Sequence, residues 1–293
     1  MKPEKNSPVL PGISVLLAIL ISIVSLAGML VNGFYAKESV NWQIQALGQD
    51  EIDLFVITPV LLMTGLNFSK NNRAVTLLWA GTLLYVIYTF LIYCFDVHFN
   101  NLFPVYCTIL CISFYTFAWF IYGQVRYPAK TRNPEPRYLK ITGGYLLVLS
   151  VAFYLLWYSE IVQAIIRDTV PASVANSGLP TNPVHVIDIS VVLPAMFITG
   201  LFTLKGKPLA FTISNMLLCF FILMDITIGW LAIRMNQAAI TSGPWLTIAM
   251  AILAFISLLF FYLNTRENII RRIPGEHPAN HHMQKDTGIP QSH

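Results

Sequence analysis

Long apolar runs alternate with short polar stretches along almost the whole chain. A helix that crosses a bilayer core needs ~20 mostly apolar residues. Eight runs approach or exceed that length, over residues 11–33, 52–69, 74–95, 102–123, 142–164, 184–204, 208–233 and 244–263. Each predicts one transmembrane helix. The first follows Lys2 and Lys5, much as a signal peptide begins. Its run is too long for a signal core and lacks a convincing cleavage site, so it reads as a retained helix.

Composition supports the pattern. Apolar residues make up 56% of the chain, charged residues 11%, and mean hydropathy is +0.63. A globule in water carries ~25% charged residues. A soluble enzyme, a nucleic-acid binder and a disordered regulator are therefore excluded.

The net charge of +4 reports orientation rather than an anionic partner. Fifteen of the 18 Lys and Arg residues fall on one side of the eight predicted spans, leaving Lys37, Arg167 and Arg234 on the other. Basic loops stay cytoplasmic, so both termini are expected in the cytoplasm. Trp157, Trp230 and Trp245 fall near the predicted outer interface, as an aromatic belt would. Cys94, Cys107, Cys111 and Cys219 all lie within apolar runs and read as small apolar helix residues. A redox role would require Cys94 to meet Cys107 across the following loop.

The chain repeats itself. Residues 52–70 (IDLFVITPVLLMTGLNFSK) and 187–205 (IDISVVLPAMFITGLFTLK) share 8 of 19 positions without a gap, including Asp53/Asp188, Pro59/Pro194 and Gly65/Gly200. The offset of 135 residues carries the first span onto the fifth and the fourth onto the eighth. Two four-helix repeats are expected, at 11–123 and 142–264, and an even number of helices makes them parallel. Around them lie an N-terminus (1–10), a basic cytoplasmic linker (124–141) and a cytoplasmic tail (265–293). The tail is rich in Pro, Gly, Asn and His and is expected to be disordered, with His277, His281 and His282 solvated rather than ligating metal.

Within the repeat, the prolines predict bent helices and the glycines close helix approach. Asp53 and Asp188 are placed near outer helix starts, where a negative charge complements the dipole. Groups present in one half only are the candidates for chemistry. Glu160 stands where the first half has Ser25, His185 where it has Asp50, and Asp225 where it has Phe90. Carboxylates inside a span are costly and by default face the bundle interior or a water-filled cavity. Glu160, His185, Asp188 and Asp225 are therefore the ligand- or proton-binding candidates, with a buried acid satisfied by a neighbouring helix as the bland alternative. Arg167 and Arg234 are candidate outer counter-ions, and Asn215 is the deeper polar candidate. Asn182 and Pro183 form a well-specified helix start that fixes the directions of His185 and Asp188.

Nucleotide-loop, serine-hydrolase, zinc-protease and dinucleotide signatures do not occur in the sequence. No cofactor or metal is expected. Leu155–Val162 (LLWYSEIV) and Leu179–Asp188 (LPTNPVHVID) resemble stretches of a group of uncharacterised bacterial multi-pass membrane proteins. The resemblance implies a bacterial cytoplasmic-membrane location and no particular activity. The function expected is binding or translocation of a small solute or ion through an outward-facing carboxylate site. The alternatives are a membrane enzyme or accessory acting on a lipid-borne substrate at the outer leaflet, and an assembly or sensory subunit.

Overall fold

A computed structural model describes residues 9–68, 72–126, 135–240 and 243–270, with side chains as far as residue 266. Every regular element among them is helical. In chain order they are α1 (Val9–Leu30), α2 (Val40–Ile52), α3 (Thr58–Leu66), α4 (Arg73–Asp96), α5 (Phe103–Arg126) and α6 (Pro136–Ile166). The second half continues with α7 (Ala172–Ser177), α8 (Pro183–Ile187), α9 (Leu193–Leu204), α10 (Pro208–Gln237) and α11 (Trp245–Ile270). Seven helical segments are long and apolar enough to cross a membrane: α1, α4, α5, α6, α8 to α9 taken together, α10 and α11. The outward surface carries exposed large side chains such as Val148, Leu155, Phe255 and Tyr262. Such a girdle suits lipid and would aggregate in water.

Two helices are interrupted at corresponding places. A π-helical turn, Asp53–Ile57, joins α2 to α3, and another, Asp188–Val192, joins α8 to α9. The two lie 135 residues apart, and each ends just before a proline, Pro59 or Pro194, with one residue between. Proline lacks an N–H and its ring crowds the carbonyl four residues back. A wider turn relieves that crowding. The amides of Thr58 and Leu193 accordingly reach five residues back, to the carbonyls of Asp53 and Asp188.

The helix carrying the first of these turns begins well before residue 52, where its apolar run starts. It is unbroken from Val40, with Ser39 accepting from the Trp42 amide at its start. Hydropathy missed these first turns because Asn41, Gln43, Gln45 and Gln49 interrupt them. Neither repeat aspartate caps a helix start. Asp53 follows 13 residues of α2 and is 2% exposed, so the dipole argument does not apply to it. Asp188 follows α8 by one residue and is held by side chains instead. The linker is shorter than expected, since α5 runs to Arg126 and α6 starts at Pro136. Residues 1–8, 127–134 and 271–293, which include most of the tail and its histidines, lie outside the described residues.

Packing follows small residues. α4 and α10 cross at the centre of the molecule, where a Cβ on Gly81 would lie 2.4 Å from Cys219 Cβ and 2.8 Å from the Met216 carbonyl. Gly65 packs on Ser14 of α1, and Gly200 packs on Gly143 of α6. On either side of the crossing, α1 lies on α3 and α4 on α5 in the first half, while α6 lies on α9 and α10 on α11 in the second. The deepest side chains include Tyr85 and Phe220 of α4 and α10, and Trp79 and Phe90, which pack on Phe120 and Tyr106 of α5.

Candidate functional site

Beside that crossing lies a cavity of about 490 Å³, within the ~300–1,000 Å³ range of small-molecule sites. Its wall draws on both halves: α2 and α4 from the first, and α6 through α11 from the second. Most of the wall is apolar, with aromatic and methionine side chains such as Trp42, Phe153, Phe221, Met196 and Met250. Asp188 and Asp225 are its acidic members, and among the described residues no Lys, Arg or His side chain lines it.

The two acids are held differently. Asp188 Oδ2 accepts from the Trp157 indole at 3.0 Å, and Oδ1 accepts from the Tyr88 hydroxyl at 3.2 Å. Those donors come from α6 and α4, so Asp188 ties the two halves together at the cavity wall. Asp225, on α10, is 6% exposed and has no hydrogen-bond or ion-pair partner among the described residues.

Glu160 and His185 meet, but outside this cavity wall. His185 Nε2 stands 3.7 Å from Glu160 Oε2, and the imidazole packs on Trp157 with ring centroids 4.6 Å apart. The His185 ring is buried rather than wet at its tip, and its Nε2 has no hydrogen-bond partner. Glu160 Oε1 accepts from the Ser173 amide at 2.9 Å, which fixes α7 against α6. Asn182 Oδ1 accepts from the amides of Val184 and His185 at 2.9 and 3.4 Å, as the sequence of that helix start predicts. Four candidates thus fall into two pairs: Asp188 and Asp225 on the cavity, Glu160 and His185 under the segment that covers it.

The first half holds polar networks that its sequence had seemed to lack. Asp50 is fully buried and accepts from Tyr35 and Tyr93, each at 2.7 Å. Gly28 leaves the space for it, since a Cβ there would overlap the carboxylate. Glu38 binds the His98 amide at 2.7 Å and its Nδ1 at 2.8 Å. Glu51 accepts from the Trp230 indole at 2.6 Å and pairs with Arg234 at 3.4 Å, so Arg234 serves a first-half carboxylate rather than one of the four candidates. Asn41, Gln45 and Gln49 recur every fourth residue of α2 and line the cavity. That spacing was legible in the sequence, but it lay outside the apolar run taken as the span.

Two further readings change. Asn215 accepts from Asn264, which also donates to Thr142, so it joins α6, α10 and α11 away from the cavity. Cys94 and Cys107 do meet across their loop, with Sγ atoms 4.0 Å apart, while all four cysteines are free thiols. The chain matches no family model, no curated protein and no solved structure.

Proposed function

We propose that this chain is a membrane carrier that binds a small lipophilic cation in the cavity between its halves. The observation that carries the reading is the charge of that wall: among the described residues it has two carboxylates, one of them without a partner, amid aromatic and methionine side chains and no base. Taking a carboxylate out of water costs several kcal/mol of effective penalty unless something compensates it. A cationic group beside Asp225 supplies that compensation. Aromatic faces attract a cation at close range, and methionines adapt to an irregular apolar body.

In this reading the chain spans the bilayer eight times, with Val40–Leu66 as the additional crossing. Asp50, Glu51 and Asp53 interrupt its hydropathy, but both oxygens of Asp50, the Glu51 carboxylate and one oxygen of Asp53 have partners inside the protein. The termini lie in the cytoplasm of a bacterial cell, on the side of the basic loops. The halves are parallel repeats, supported by the paired π-helical turns and by α4 and α10 crossing on each other. Residue 81 plus the offset of 135 is 216, and Gly81 faces Met216 itself, as a two-fold relation between the halves requires. Glu160, His185 and α7 form the outer cover of the cavity.

Tetraphenylphosphonium tests the reading, because it is a lipophilic cation whose charge does not change with pH. Calorimetry on the protein in lipid nanodiscs should give saturable binding, and Asp225→Asn should weaken it at least tenfold. Proteoliposomes containing the wild type should then take up the probe faster than protein-free liposomes, whose bilayer this cation crosses unaided, and faster than those containing Asp225→Asn. Absence of saturable binding, or equal affinity in the variant, would refute the proposal.

A further inference from the structure

Asp53 stands apart from the cavity acids. It is 2% exposed, sits at the first residue of a π-helical turn, and its two oxygens are unequally served. Oδ1 accepts from Gln49 Nε2 at 2.9 Å and faces the Tyr85 hydroxyl at 3.3 Å. Oδ2 is buried and has no partner.

The surrounding charges leave Asp53 as the odd one. Its own helix brings Asp50 and Glu51. Glu51 is paired with Arg234 of α10, and Asp50 has a tyrosine donor on each oxygen. From α4 come Tyr85 and Tyr93, and α1 carries no titratable side chain. Two carboxylates one turn apart in a buried place repel, and one of them is relieved by taking a proton. Asp50 has a hydroxyl donor on each oxygen, whereas Asp53 keeps one bare oxygen and has no cation beside it among the described residues.

We propose that Asp53 is a proton-binding site whose occupancy is coupled to the cavity through Tyr85 and Gln49. The inference rests on the cavity being a cation site. Gln49 and Thr227 both line the cavity. The Tyr85 hydroxyl accepts from Gln49 at 2.7 Å and lies 2.9 Å from Thr227 Oγ1. Thr227 gives its own hydrogen to the Leu223 carbonyl at 2.8 Å, so in that arrangement it accepts from Tyr85. A phenol has one hydrogen. It turns toward Thr227 when Asp53 is neutral and toward Asp53 when Asp53 is charged. The hydroxyl lies within hydrogen-bond reach of both, 2.9 Å from Thr227 Oγ1 and 3.3 Å from Asp53 Oδ1. A cation entering beside Asp225 disfavours a proton nearby, so binding drives the Asp53 proton off and swings the Tyr85 hydrogen away from the cavity. The result is exchange of a proton for a cation.

Two measurements separate this inference from the cavity reading. Infrared spectroscopy of the ligand-free protein in nanodiscs should show the C=O stretch of a protonated carboxylic acid, lost in Asp53→Asn and shifted in Asp53→Glu. Persistence of the wild-type band in Asp53→Asn would overturn the assignment, as would its loss on adding Na+ at constant pH, which would make this a sodium site. Calorimetry with tetraphenylphosphonium in buffers of different ionisation enthalpy should report about one proton released per cation bound. Asp53→Asn should still bind the probe and release none, and Tyr85→Phe should bind with the release weakened. Release in Asp53→Asn equal to wild type overturns the coupling. Should the wild type fail to bind the probe, the cavity reading and the coupling both fall, while the infrared result still decides whether Asp53 holds the proton.

Discussion

Replacing Gly81 with alanine would probe the contact on which the arrangement of the two halves depends. The new Cβ would stand 2.4 Å from Cys219 Cβ, 2.8 Å from the Met216 carbonyl oxygen and 3.1 Å from the Phe220 amide nitrogen. Carbon atoms pack at ~3.5–4.0 Å, so α4 and α10 would have to separate locally by about 1.1–1.6 Å. Two of the three atoms are backbone and cannot rotate away. Overpacking of this kind costs ~1–3 kcal/mol, and the rigidity of the neighbours puts Gly81 near the top of that range. Alanine returns ~1 kcal/mol of helix propensity, leaving a net loss of about 2 kcal/mol. Gly144 of α6 is the control, because a Cβ there meets nothing within 4 Å. Gly144→Ala should gain up to ~1 kcal/mol from propensity alone. Equilibrium unfolding of the purified protein in mixed micelles should therefore separate the two variants by about 3 kcal/mol. If Gly81→Ala proves as stable as Gly144→Ala, the central crossing is not as described.

Other expectations can be checked on the same preparation. Tyr93→Phe removes one of the two donors to Asp50 and leaves a buried oxygen without a partner, so stability should fall by ~1–3 kcal/mol. A loss under ~0.5 kcal/mol would mean Asp50 is not held by this bond. Asn182→Ala deletes the side-chain oxygen that serves the Val184 and His185 amides; unfolding should show a loss of ~1 kcal/mol, with Asn182→Asp retaining the cap. Ser14→Ala leaves the Trp79 indole, which donates at 2.9 Å, without its acceptor, and should cost ~1–3 kcal/mol in the same assay.

The helical architecture was open to reading because lipid-facing helices are apolar over their whole length, and α1, α4, α5 and α10 end within a few residues of their runs. The paired positions of the two π-helical turns were open too, since proline and aspartate at a fixed offset are visible in one dimension. Two things were hidden. Polar residues that face inward and satisfy one another lower hydropathy as much as loop residues do, so the Asn41–Gln49 stripe and the Asp50 network looked like a connection between spans. Partnership was also invisible. Glu160, His185, Asp188 and Asp225 stand out in the sequence as ionisable groups in or near spans, yet tyrosines, indoles and a backbone amide from distant segments decide which of the acids remain free. Of the three carboxylates, Asp225 is the one left without a hydrogen-bond donor among the described residues.

The π-helical turns allow a sharper test of what the repeated element is for. A π turn is an α-helix with one residue inserted, and it often marks a functional position. Removing the inserted residue should restore a regular helix while both flanking segments keep their faces. Phe55 is the residue to delete, because it lies within the turn and is exposed. Pro59→Ala should accompany the deletion, since a proline within a regular helix costs ~3 kcal/mol through its missing N–H and its clash. In that variant Gln45 and Gln49 still face the cavity and Gly65 still meets Ser14. Deleting Leu62 instead, beyond the turn, rotates everything after it by ~100° and lifts Gly65 off Ser14. The Phe55 variant should therefore unfold at or above the wild-type midpoint yet lose probe-coupled proton release, because Asp53 no longer sits in a widened turn. The Leu62 deletion should lose several degrees. Equal destabilisation by the two deletions would show that the turn is a necessity of packing, and that the aspartate at its start was placed there without regard to binding.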